Sequence, residues 1–392
     1  MISFKNMDRE YVANTYGRFD IEVAYGKGSL VYDINGKEYI DLSSGIAVNT
    51  FGMADEKWVE AVYAQLKKCQ HTSNLYYSEP CACLAKMLCE RTGAKKVFFG
   101  NSGAEANECA IKVARLWGSE NKGEEYYNIV TLKNSFHGRT ITTLSATGQD
   151  VFHKYFTPLT EGFVYGEANN LDSIEALLKE NKCCAVMMEL VQGEGGVLAL
   201  DSDFVKGVSL LCEKYNVLLL IDEVQTGNGR TGALYAYQRY GIKPDVISTA
   251  KGLGGGLPIG ACLMFDRTSD VLKPSLHGST FGGNPISCAS AINVLERIDD
   301  KLLSEINEKS EYIFSELKDA PGILSVSGLG LMIGIETEAD VNAVLKGCME
   351  RGILPIKAKN KLRLLPPLNI PMDLLKKSVE IIKEVAKNEL KG

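Results

Sequence analysis

The sequence has no internal repeat, no low-complexity tract and no block of basic residues. A repeat of fixed period would indicate a solenoid or a propeller. A basic block is typical of chains that bind nucleic acid or an anionic membrane surface. The formal net charge of −6 arises from interspersed acids and bases. We therefore expect small-molecule partners, with no nucleic acid and no membrane.

Long apolar runs and metal-binding spacings are also missing. The start, MISFKNMDREY, has no apolar core of the kind found in signal peptides, and the aliphatic run VLLLI (217–221) is too short to cross a bilayer. The eleven cysteines form no CxxC pair and no CxxC/HxxxH spacing, so we expect no metal site. The simplest expectation is a cytoplasmic protein whose thiols are reduced and mostly buried.

The order of apolar runs indicates the fold class. Of the 392 residues, 45% are hydrophobic, enough for a large core and two or three domains. From about residue 95, short apolar runs such as KVFFG, YNIVTL, CAVMMEL, VLLLI and DVIST alternate with helical patterns. Strands that are apolar without alternation predict an α/β fold, with a mostly parallel central sheet covered by helices on both faces.

The pattern changes towards the two chain ends. Residues 286–392 predict a smaller α+β domain, including ILSVSGLGLMIGIE as two strands around Gly328. Residues 1–50 contain a hairpin that turns at Asn35-Gly36, and we expect this segment to pack with the small domain. The large α/β domain would then span residues 51–285.

Lys251 has an unusual setting in DVISTAKGLGGGLPIGA (245–261). It follows a β-type run and precedes four glycines in five positions. An isolated lysine at a strand end is more often a solvent-exposed charge. Glycine-rich backbone can approach a ligand closely, so Lys251 is also a candidate to form a bond with a flat ligand.

Asp222 directly follows the apolar run VLLLI. Taken alone, it is more often a cap of the next element. In open α/β sheets, however, ligands bind outside the carboxyl ends of the strands, and Lys251 ends another strand candidate. Pyridoxal 5'-phosphate needs an amine that bonds to its aldehyde and an acid beside its ring nitrogen. Together, Lys251 and Asp222 fit that cofactor.

Two further motifs bear on the ligand. NSGAEANE, from Asn101, joins a strand to a helix, and a helix start can be a capped terminus and an anion site at once. GNGRTG (227–232) formally matches the dinucleotide fingerprint, which keeps a nicotinamide-dependent oxidoreductase open as a rival. Five residues, DEVQT, separate it from the strand, whereas a pyrophosphate loop should follow at once, so the cofactor with the aldehyde is favoured.

Six motifs in order carry a resemblance to a known family: NSGAEANE, FHGRT, QGEGG, IDEVQTGNGRTG, AKGLGGGLPIGA and STFGGNP. Together they resemble the class-III, fold-type-I pyridoxal-phosphate aminotransferases that act on ω-amino groups. The resemblance implies that Lys251 bonds to the cofactor and that Asp222 pairs with its pyridinium nitrogen. It also implies that Val224 packs beneath the ring, Gln225 binds the phenolic oxygen and Phe136 stacks on the other face.

The same resemblance assigns the phosphate site and the assembly. Ser102, Gly103 and Ala104 hold the phosphate, joined by Thr280 from the second subunit. This implies a homodimer whose active site is shared between subunits. Judged alone, Phe136 could equally be core filler, and Thr280 could be a turn residue.

Two arginines and one acid are implied to select substrates. Arg139 in FHGRT and Arg363 in KLRLLPP match the carboxylate-binding positions of the family, and Glu194 in QGEGG matches the acid that pairs with the second arginine. A guanidinium offers a bidentate match to a carboxylate. Isolated arginines are more often surface charges.

Within the family, GIAVN, HTSNLYY and HGSTFGGNP resemble the acetylornithine aminotransferases of arginine biosynthesis. That resemblance implies transfer of the δ-amino group of N2-acetylornithine to 2-oxoglutarate, with Ser279 near the donor. Ornithine aminotransferases carry a tyrosine near the position of Gly45, where it meets a free α-amino group. One departure is GMADEKW (52–58), where the family commonly has G-H-x-H-P.

Other functions stay open at this point. The nearest is another ω-aminotransferase, acting on succinylornithine, ornithine, 4-aminobutyrate or a lysine derivative. The more distant ones are the nicotinamide-dependent oxidoreductase and a non-catalytic protein that binds pyridoxal phosphate on the same fold.

Overall fold

The computed structural model describes residues 4–389. The strands, in chain order, are β1 (Val23–Lys27), β2 (Leu30–Asp33), β3 (Glu38–Asp41), β4 (Lys96–Gly100), β5 (Asn128–Leu132), β6 (Phe163–Gly166), β7 (Cys183–Glu189), β8 (Val191–Gln192), β9 (Leu198–Ala199), β10 (Leu218–Asp222), β11 (Val246–Thr249), β12 (Gly260–Met264), β13 (Ile323–Leu329), β14 (Met332–Thr337), β15 (Ile353–Leu354), β16 (Ile356–Ala358) and β17 (Lys361–Leu364).

The helices, in the same order, are α1 (Phe4–Tyr11), α2 (Ser44–Ala47), α3 (Glu56–Leu66), α4 (Glu79–Thr92), α5 (Gly103–Lys122), α6 (Ile141–Ala146), α7 (Asp150–His153), α8 (Leu171–Glu180), α9 (Ser202–Lys214), α10 (Ala236–Tyr240), α11 (Pro285–Arg297), α12 (Asp300–Leu317), α13 (Val341–Glu350) and α14 (Met372–Glu389). Of these, α2 is a single left-handed turn in which Gly45 and Ile46 have φ of 65° and 64°. Within residues 4–389, no helix combines the length and apolarity that crossing a bilayer requires.

The central sheet has seven strands in the order β4, β12, β11, β10, β7, β5, β6. Its strands are parallel except β12, which runs antiparallel to β11 and β4. Every residue of β7 and β10 is buried, as expected for strands covered on both faces. The predicted α/β class with a mostly parallel, helix-covered sheet is therefore confirmed.

The long helix α5 packs across β4, β7, β11 and β12. The sequence pattern placed this helix at about residues 104–117, and it runs five residues further, to Lys122, before Gly123 ends it. Its first turn lies at the edge of the sheet where the parallel strands end. This position brings the start of the helix to the carboxyl ends of β10 and β11.

Strands from both ends of the chain meet in one smaller sheet of order β1, β2, β3, β15. The hairpin of β2 and β3 turns at Asn35-Gly36 as expected, and β3 pairs in parallel with β15. A third, antiparallel sheet has the order β13, β14, β17, β16 and packs against α12 and α13. The division at residues 50 and 285 stays a prediction.

One detail of the C-terminal part differs from the sequence reading. Gly328 lies within β13, opposite Ile333, and the chain turns two residues later, at Gly330. Gly330 has φ of +56°, and a Cβ there would lie 2.5 Å from the carbonyl oxygen of Arg230. The turn therefore needs glycine at position 330, both for its backbone angle and for this close approach.

Candidate active site

Lys251 and Asp222 lie on adjacent strands of the central sheet. Asp222 ends β10, Lys251 follows β11, and Asp222 is paired in register with Ser248. Both residues line a cavity of about 440 Å³ at the carboxyl edge of the sheet. The structure thus brings the two residues together, and their roles stay a prediction.

A network of buried donors holds the Asp222 carboxylate. Its Oδ2 accepts hydrogen bonds from Asn107 Nδ2 at 2.7 Å and from His137 Nδ1 at 2.8 Å. Its Oδ1 accepts from the backbone N–H of Val224 at 3.0 Å. Only 3% of Asp222 is exposed. Because an ionised carboxylate can only accept, His137 carries its proton on Nδ1 in this arrangement.

Asn107 links this network to the sheet and to the loop after β5. Its Nδ2 also donates to the backbone oxygen of His137 at 2.7 Å, and its Oδ1 accepts from the Ser248 hydroxyl. Three parts of the chain, α5, the loop at 137 and β11, therefore fix the orientation of the one carboxylate at residue 222.

The Lys251 amine lies in the cavity without a polar partner. Lys251 Nζ forms no hydrogen bond or ion pair with any other residue from 4 to 389, although Asp222 and Glu194 are near enough to act on its charge. Burial lowers the pKa of Lys251, and the negative charges of Asp222 and Glu194 oppose that shift. A lowered pKa increases the neutral fraction of the amine, which is the nucleophilic form.

Side chains from four parts of the chain hold the strained turn around Lys251. This lysine has φ of +40°, a region that residues other than glycine rarely adopt. Carbonyl oxygens of the turn accept from Asn228 (Ala250, 3.2 Å), Thr50 (Gly252, 2.6 Å), Trp58 (Gly254, 3.0 Å) and Ser290 (Gly254, 2.7 Å). Trp58 belongs to GMADEKW, so the segment that departs from the family pattern supports this turn.

The start of α5 supplies an anion site on the same cavity. Ser102 is the N-cap and accepts from the N–H of Glu105 at 3.2 Å, and Ser102, Gly103 and Ala104 line the cavity. The first N–H groups of a helix lack intrahelical partners, and the helix dipole favours an anion there. A Cβ on residue 103 would lie 2.6 Å from Val224 Cγ1, so only glycine allows this helix start to reach Val224.

Phe136 and Arg139 line the outer part of the cavity. The Arg139 guanidinium lies 5.5 Å from the ring centroid of Phe136 and 4.1 Å from that of Phe152. Arg139 is exposed and forms no ion pair with the part of the chain that the structure describes. A guanidinium held by aromatic rings and lacking a carboxylate is available to a carboxylate ligand.

Arg363 lies behind the cavity and is paired with Glu194. It is 2% exposed, and one of its nitrogens donates to Glu194 Oε1 at 2.8 Å and to Gln225 Oε1 at 3.4 Å. Glu194 and Gln225 line the cavity, whereas Arg363 does not. Glu194 is therefore both a lining residue of the cavity and the ion-pair partner of Arg363, and its role with substrates stays a prediction.

Ser279 and Thr280 lie outside this cavity. They line a separate one of about 400 Å³, and Thr280 is exposed. Ser279 Oγ accepts from Asn101 Nδ2 at 3.1 Å, which links it to the residue before the N-cap of α5. A single chain thus does not bring these two residues to Lys251.

Three residues of the site escaped the sequence reading: Asn107, His137 and Glu189. Glu189 lines the cavity and accepts from the N–H groups of Phe136 at 2.9 Å and Gly193 at 3.2 Å. Burial raises the pKa of Glu189 to about 7. The sequence pattern that indicated Asp222 also applies to Glu189, because each residue ends an apolar strand. Asn107 lies one helical turn after Gly103, and His137 follows Phe136 directly.

The residues fit pyridoxal 5'-phosphate by the chemistry of their groups. The cavity offers an unpartnered amine at Lys251, a buried carboxylate at Asp222 and a helix start at Ser102, Gly103 and Ala104. These match the aldehyde, the ring nitrogen and the phosphate of that cofactor.

The GNGRTG motif does not form a dinucleotide-binding loop. It lies between β10 and the five-residue helix α10, and its arginine is 3% exposed and bonded to backbone oxygens of the C-terminal part. A pyrophosphate loop would instead join a strand directly to a long helix. The nicotinamide interpretation of this motif is therefore wrong.

Comparison with known families assigns a chain with this fold and cavity to the aminotransferases. The family model for class-III aminotransferases matches residues 11–386. The chain therefore belongs to the class-III aminotransferases.

Individual relatives and solved structures within this family are also similar to the chain. The acetylornithine aminotransferase of Haemophilus ducreyi is 49% identical over 383 residues, covering 97% of this chain and 98% of that protein. The acetylornithine aminotransferase of Aquifex aeolicus is 43% identical, covering 96% and 99%. Among solved structures, the ornithine aminotransferase of Toxoplasma gondii has a TM-score of 0.95 at 32% identity, covering 99% of this chain and 95% of that one. The N-acetylornithine aminotransferase of Stenotrophomonas maltophilia has a TM-score of 0.85 at 31% identity, covering 98% and 99%.

Proposed function

We propose that this protein transfers the δ-amino group of N2-acetylornithine to 2-oxoglutarate with the help of pyridoxal 5'-phosphate. The products are N-acetylglutamate 5-semialdehyde and glutamate, a step of arginine biosynthesis. The observation that carries the proposal is the Lys251 amine, unpartnered and next to Asp222, in a cavity that also holds an unpaired arginine. The names of the relatives support the choice of donor.

The inner residues would hold the cofactor and move one proton. The cofactor supplies an aldehyde that condenses with amines and a ring that withdraws electrons from the attached carbon. Asp222, oriented by His137 and Asn107, would hold the proton of the ring nitrogen. Lys251 Nζ would take the proton from the substrate carbon that bears the amino group and return it to the cofactor side. Its lowered pKa favours the neutral amine that this step needs.

The remaining inner residues would fix the cofactor in place. The start of α5, at Ser102, Gly103 and Ala104, would bind the phosphate dianion. Val224, which packs on Gly103, would lie under the ring, and Phe136 would cover the other face. Gln225 would donate to the phenolic oxygen, because its amide side chain also lies at the cavity.

The two arginines would let unlike substrates share one site. Both substrates carry a carboxylate far from the reacting carbon, and Arg139 would bind it. Only 2-oxoglutarate has a second carboxylate next to the reacting carbon, and Arg363 would bind that one. Glu194 neutralises Arg363 while the donor is bound and would move aside for the oxo acid. An arginine with no such partner would leave a buried charge unpaired during half of each cycle.

The donor preference rests on Gly45. It lies in the left-handed turn α2, two residues before Ala47 and three before Val48, which lines the cavity. Glycine at this position offers no side chain to meet a free α-amino group, and this fits a donor whose α-amino group is acetylated. Another ω-amino donor, such as succinylornithine, ornithine, 4-aminobutyrate or a lysine derivative, is the alternative.

A cytoplasmic homodimer completes the proposal. Thr280 and Phe281 are exposed, as are Leu75, Tyr76 and Tyr77, and an exposed apolar set of this size is typical of a protein interface. A second copy would bring its Thr280, and Ser279 beside it, to the phosphate and donor ends of the cavity. All eleven cysteines are free thiols, which suits a reducing compartment.

The half-reaction tests this function. Mixed with acetylornithine and no oxo acid, the holoenzyme should lose its visible absorbance as the cofactor takes up the amino group. Ornithine and 4-aminobutyrate, at equal concentration, should react much more slowly. Conversion that is as fast with either control as with acetylornithine would refute the proposed donor, and no conversion with any of them would refute the proposed reaction.

A further inference from the structure

The loop of residues 227–232, which we call the bridging loop, contacts both sides of the cavity through two polar side chains that are separated by one glycine. Its sequence, GNGRTG, is the motif that matched a dinucleotide fingerprint and is not one. On one side it reaches the turn that carries Lys251. On the other it reaches the strands that carry Arg363. None of the catalytic steps proposed above uses this loop directly.

Asn228 makes the contact on the lysine side. Its Nδ2 donates to Thr249 Oγ1 at 3.0 Å and to the backbone oxygen of Ala250 at 3.2 Å. Ala250 precedes Lys251, whose φ of +40° is strained. Asn228 is 2% exposed, and its own φ is +56°. A buried amide therefore fixes the peptide that sets the direction of the catalytic lysine.

Arg230 makes the contact on the arginine side. One of its nitrogens donates to the backbone oxygens of Leu331 at 3.1 Å and Pro366 at 2.6 Å, and its own backbone oxygen accepts from the N–H of Leu331 at 2.9 Å. Leu331 directly precedes β14, and Pro366 lies two residues after β17. Arg363 on β17 is paired with Gly334 on β14. Arg230 thus joins the two strands at the end nearest Arg363.

Burying the charged guanidinium of Arg230 costs free energy. The side chain is buried, and within residues 4–389 no carboxylate lies at ion-pair distance from it. Burial lowers the pKa of Arg230 to about 9, and the charge of Asp41 opposes the shift. A buried cation bonded only to carbonyl oxygens is costly, so a purely apolar side chain would stabilise the fold at least as well. An apolar side chain has no hydrogen-bond donor, so it could not fix the two strands at a defined spacing.

We propose that the bridging loop sets the spacing between the lysine and arginine sides of the active site, with Arg230 positioning Arg363 and Asn228 positioning Lys251. The inference rests on the proposed function, because it takes Arg363 as the receptor for the second carboxylate of a dicarboxylic substrate. Its distinctive consequence is that two residues of one short loop control different properties of the enzyme. Arg230 controls affinity for a dicarboxylate, and Asn228 controls the rate of the step that uses the lysine.

The experiment compares Arg230→Met and Asn228→Ala in the holoenzyme by two measurements. The first is calorimetric titration with glutarate, a dicarboxylate of the same length as 2-oxoglutarate that cannot react. The second is the rate constant of the half-reaction at saturation, with whichever amine donor the wild-type enzyme uses. Arg239→Met is the matched control, because Arg239 also donates to the bridging loop, at the Thr231 oxygen (3.1 Å), but is exposed and reaches neither side of the cavity.

We expect Arg230→Met to raise the dissociation constant of glutarate about tenfold with a rate constant within about threefold of wild type. Asn228→Ala should do the reverse, lowering the rate constant about tenfold with little change in glutarate affinity. Arg239→Met should change neither. If Arg230→Met does not fold, Arg230→Lys, which keeps a donor and the charge, should weaken glutarate binding by about threefold.

Three outcomes would overturn the inference. Equal changes of both quantities in both variants would mean that the loop only stabilises the fold. Unchanged glutarate affinity in Arg230→Met or Arg230→Lys would mean that Arg230 does not position Arg363. A wild-type enzyme that does not bind glutarate would mean that Arg363 is not the receptor for a second carboxylate. An enzyme that binds glutarate but prefers another donor refutes only the proposed donor, so the two failures are distinguishable.

Discussion

The two halves of the candidate site are built differently. The inner half, formed by Lys251, Asp222, His137 and Asn107, lies at the carboxyl edge of the central sheet, and its backbone and polar groups are held by several partners. The outer half, formed by Arg139, Ser279 and Thr280, is largely exposed, and Ser279 and Thr280 do not reach the cavity within one chain.

This difference matches the demands on each half. The inner half would act on the same cofactor atoms in every turnover, and reaction rates depend steeply on fixed geometry. The outer half must accept two substrates of different shape, and the proposed site is complete only when a second subunit is present. We therefore expect substitutions in the inner half to abolish chemistry, and those in the outer half to change affinity and depend on assembly.

The largest effect is expected at Lys251. Lys251→Ala removes the amine that would bond to the cofactor and move the proton, and should lower turnover at least about 10⁴-fold. The visible absorbance of the bound cofactor should also shift. Steady-state kinetics and absorbance spectra check this. Lys95→Ala, at a lysine paired with Asp266 on the surface, is the control and should behave as wild type. Full turnover in Lys251→Ala would reject the assignment of the inner half.

Arg139 should give a smaller loss. Arg139→Ala removes a charged contact to a carboxylate, and we expect a loss of about 10- to 100-fold in kcat/KM with both substrates. Arg139→Lys keeps the charge without the bidentate geometry, so its kcat/KM should lie between those of the wild type and Arg139→Ala. Unchanged kcat/KM in Arg139→Ala would show that the outer half binds substrate elsewhere. Arg351→Ala, at a surface arginine paired with Glu384, is the control.

The smallest effect tests whether the outer half is shared between subunits. Thr280→Asp places a negative charge where the resemblance puts the phosphate, so this variant alone should bind the cofactor poorly. Mixed dimers of Lys251→Ala and Thr280→Asp chains should recover about half of the wild-type activity, because one of the two symmetric sites has both residues intact. No recovery in purified mixed dimers would mean that Thr280 acts within its own chain, and normal cofactor binding by Thr280→Asp alone would mean that Thr280 does not act at the phosphate.

Much of the fold followed from local pattern. The apolar runs that became β7 and β10 predicted buried parallel strands, and Asn35-Gly36 predicted the turn between β2 and β3. The turn at Gly330 was misplaced to Gly328, because both glycines fit the pattern and only packing against Arg230 distinguishes them. The extra length of α5 was missed, because residues 118–122 have no apolar periodicity, and the hydrogen bonds of Lys122 to the backbone oxygens of Cys183, Tyr215 and Asn216 join distant parts of the chain.

Some of the reactive side chains could also be predicted from local sequence pattern. Lys251 and Asp222 could be found, because each follows an apolar strand and parallel strands end at one edge of a sheet. Glu189 carried the same signal and was overlooked. The partners of Asp222 could not be found, because residues 107, 137 and 222 meet only through the order of the strands and the position of α5.

The amino-acid sequence by itself determined the strands, the helix starts and the set of reactive side chains, since each depends on residues close together in the chain. Only the tertiary structure decided that a buried histidine orients the acid, that Glu194 covers Arg363, and that the bridging loop touches both sides of the cavity. Such contacts depend on strand order and on packing between distant segments, and a local pattern of residue types carries no information about either.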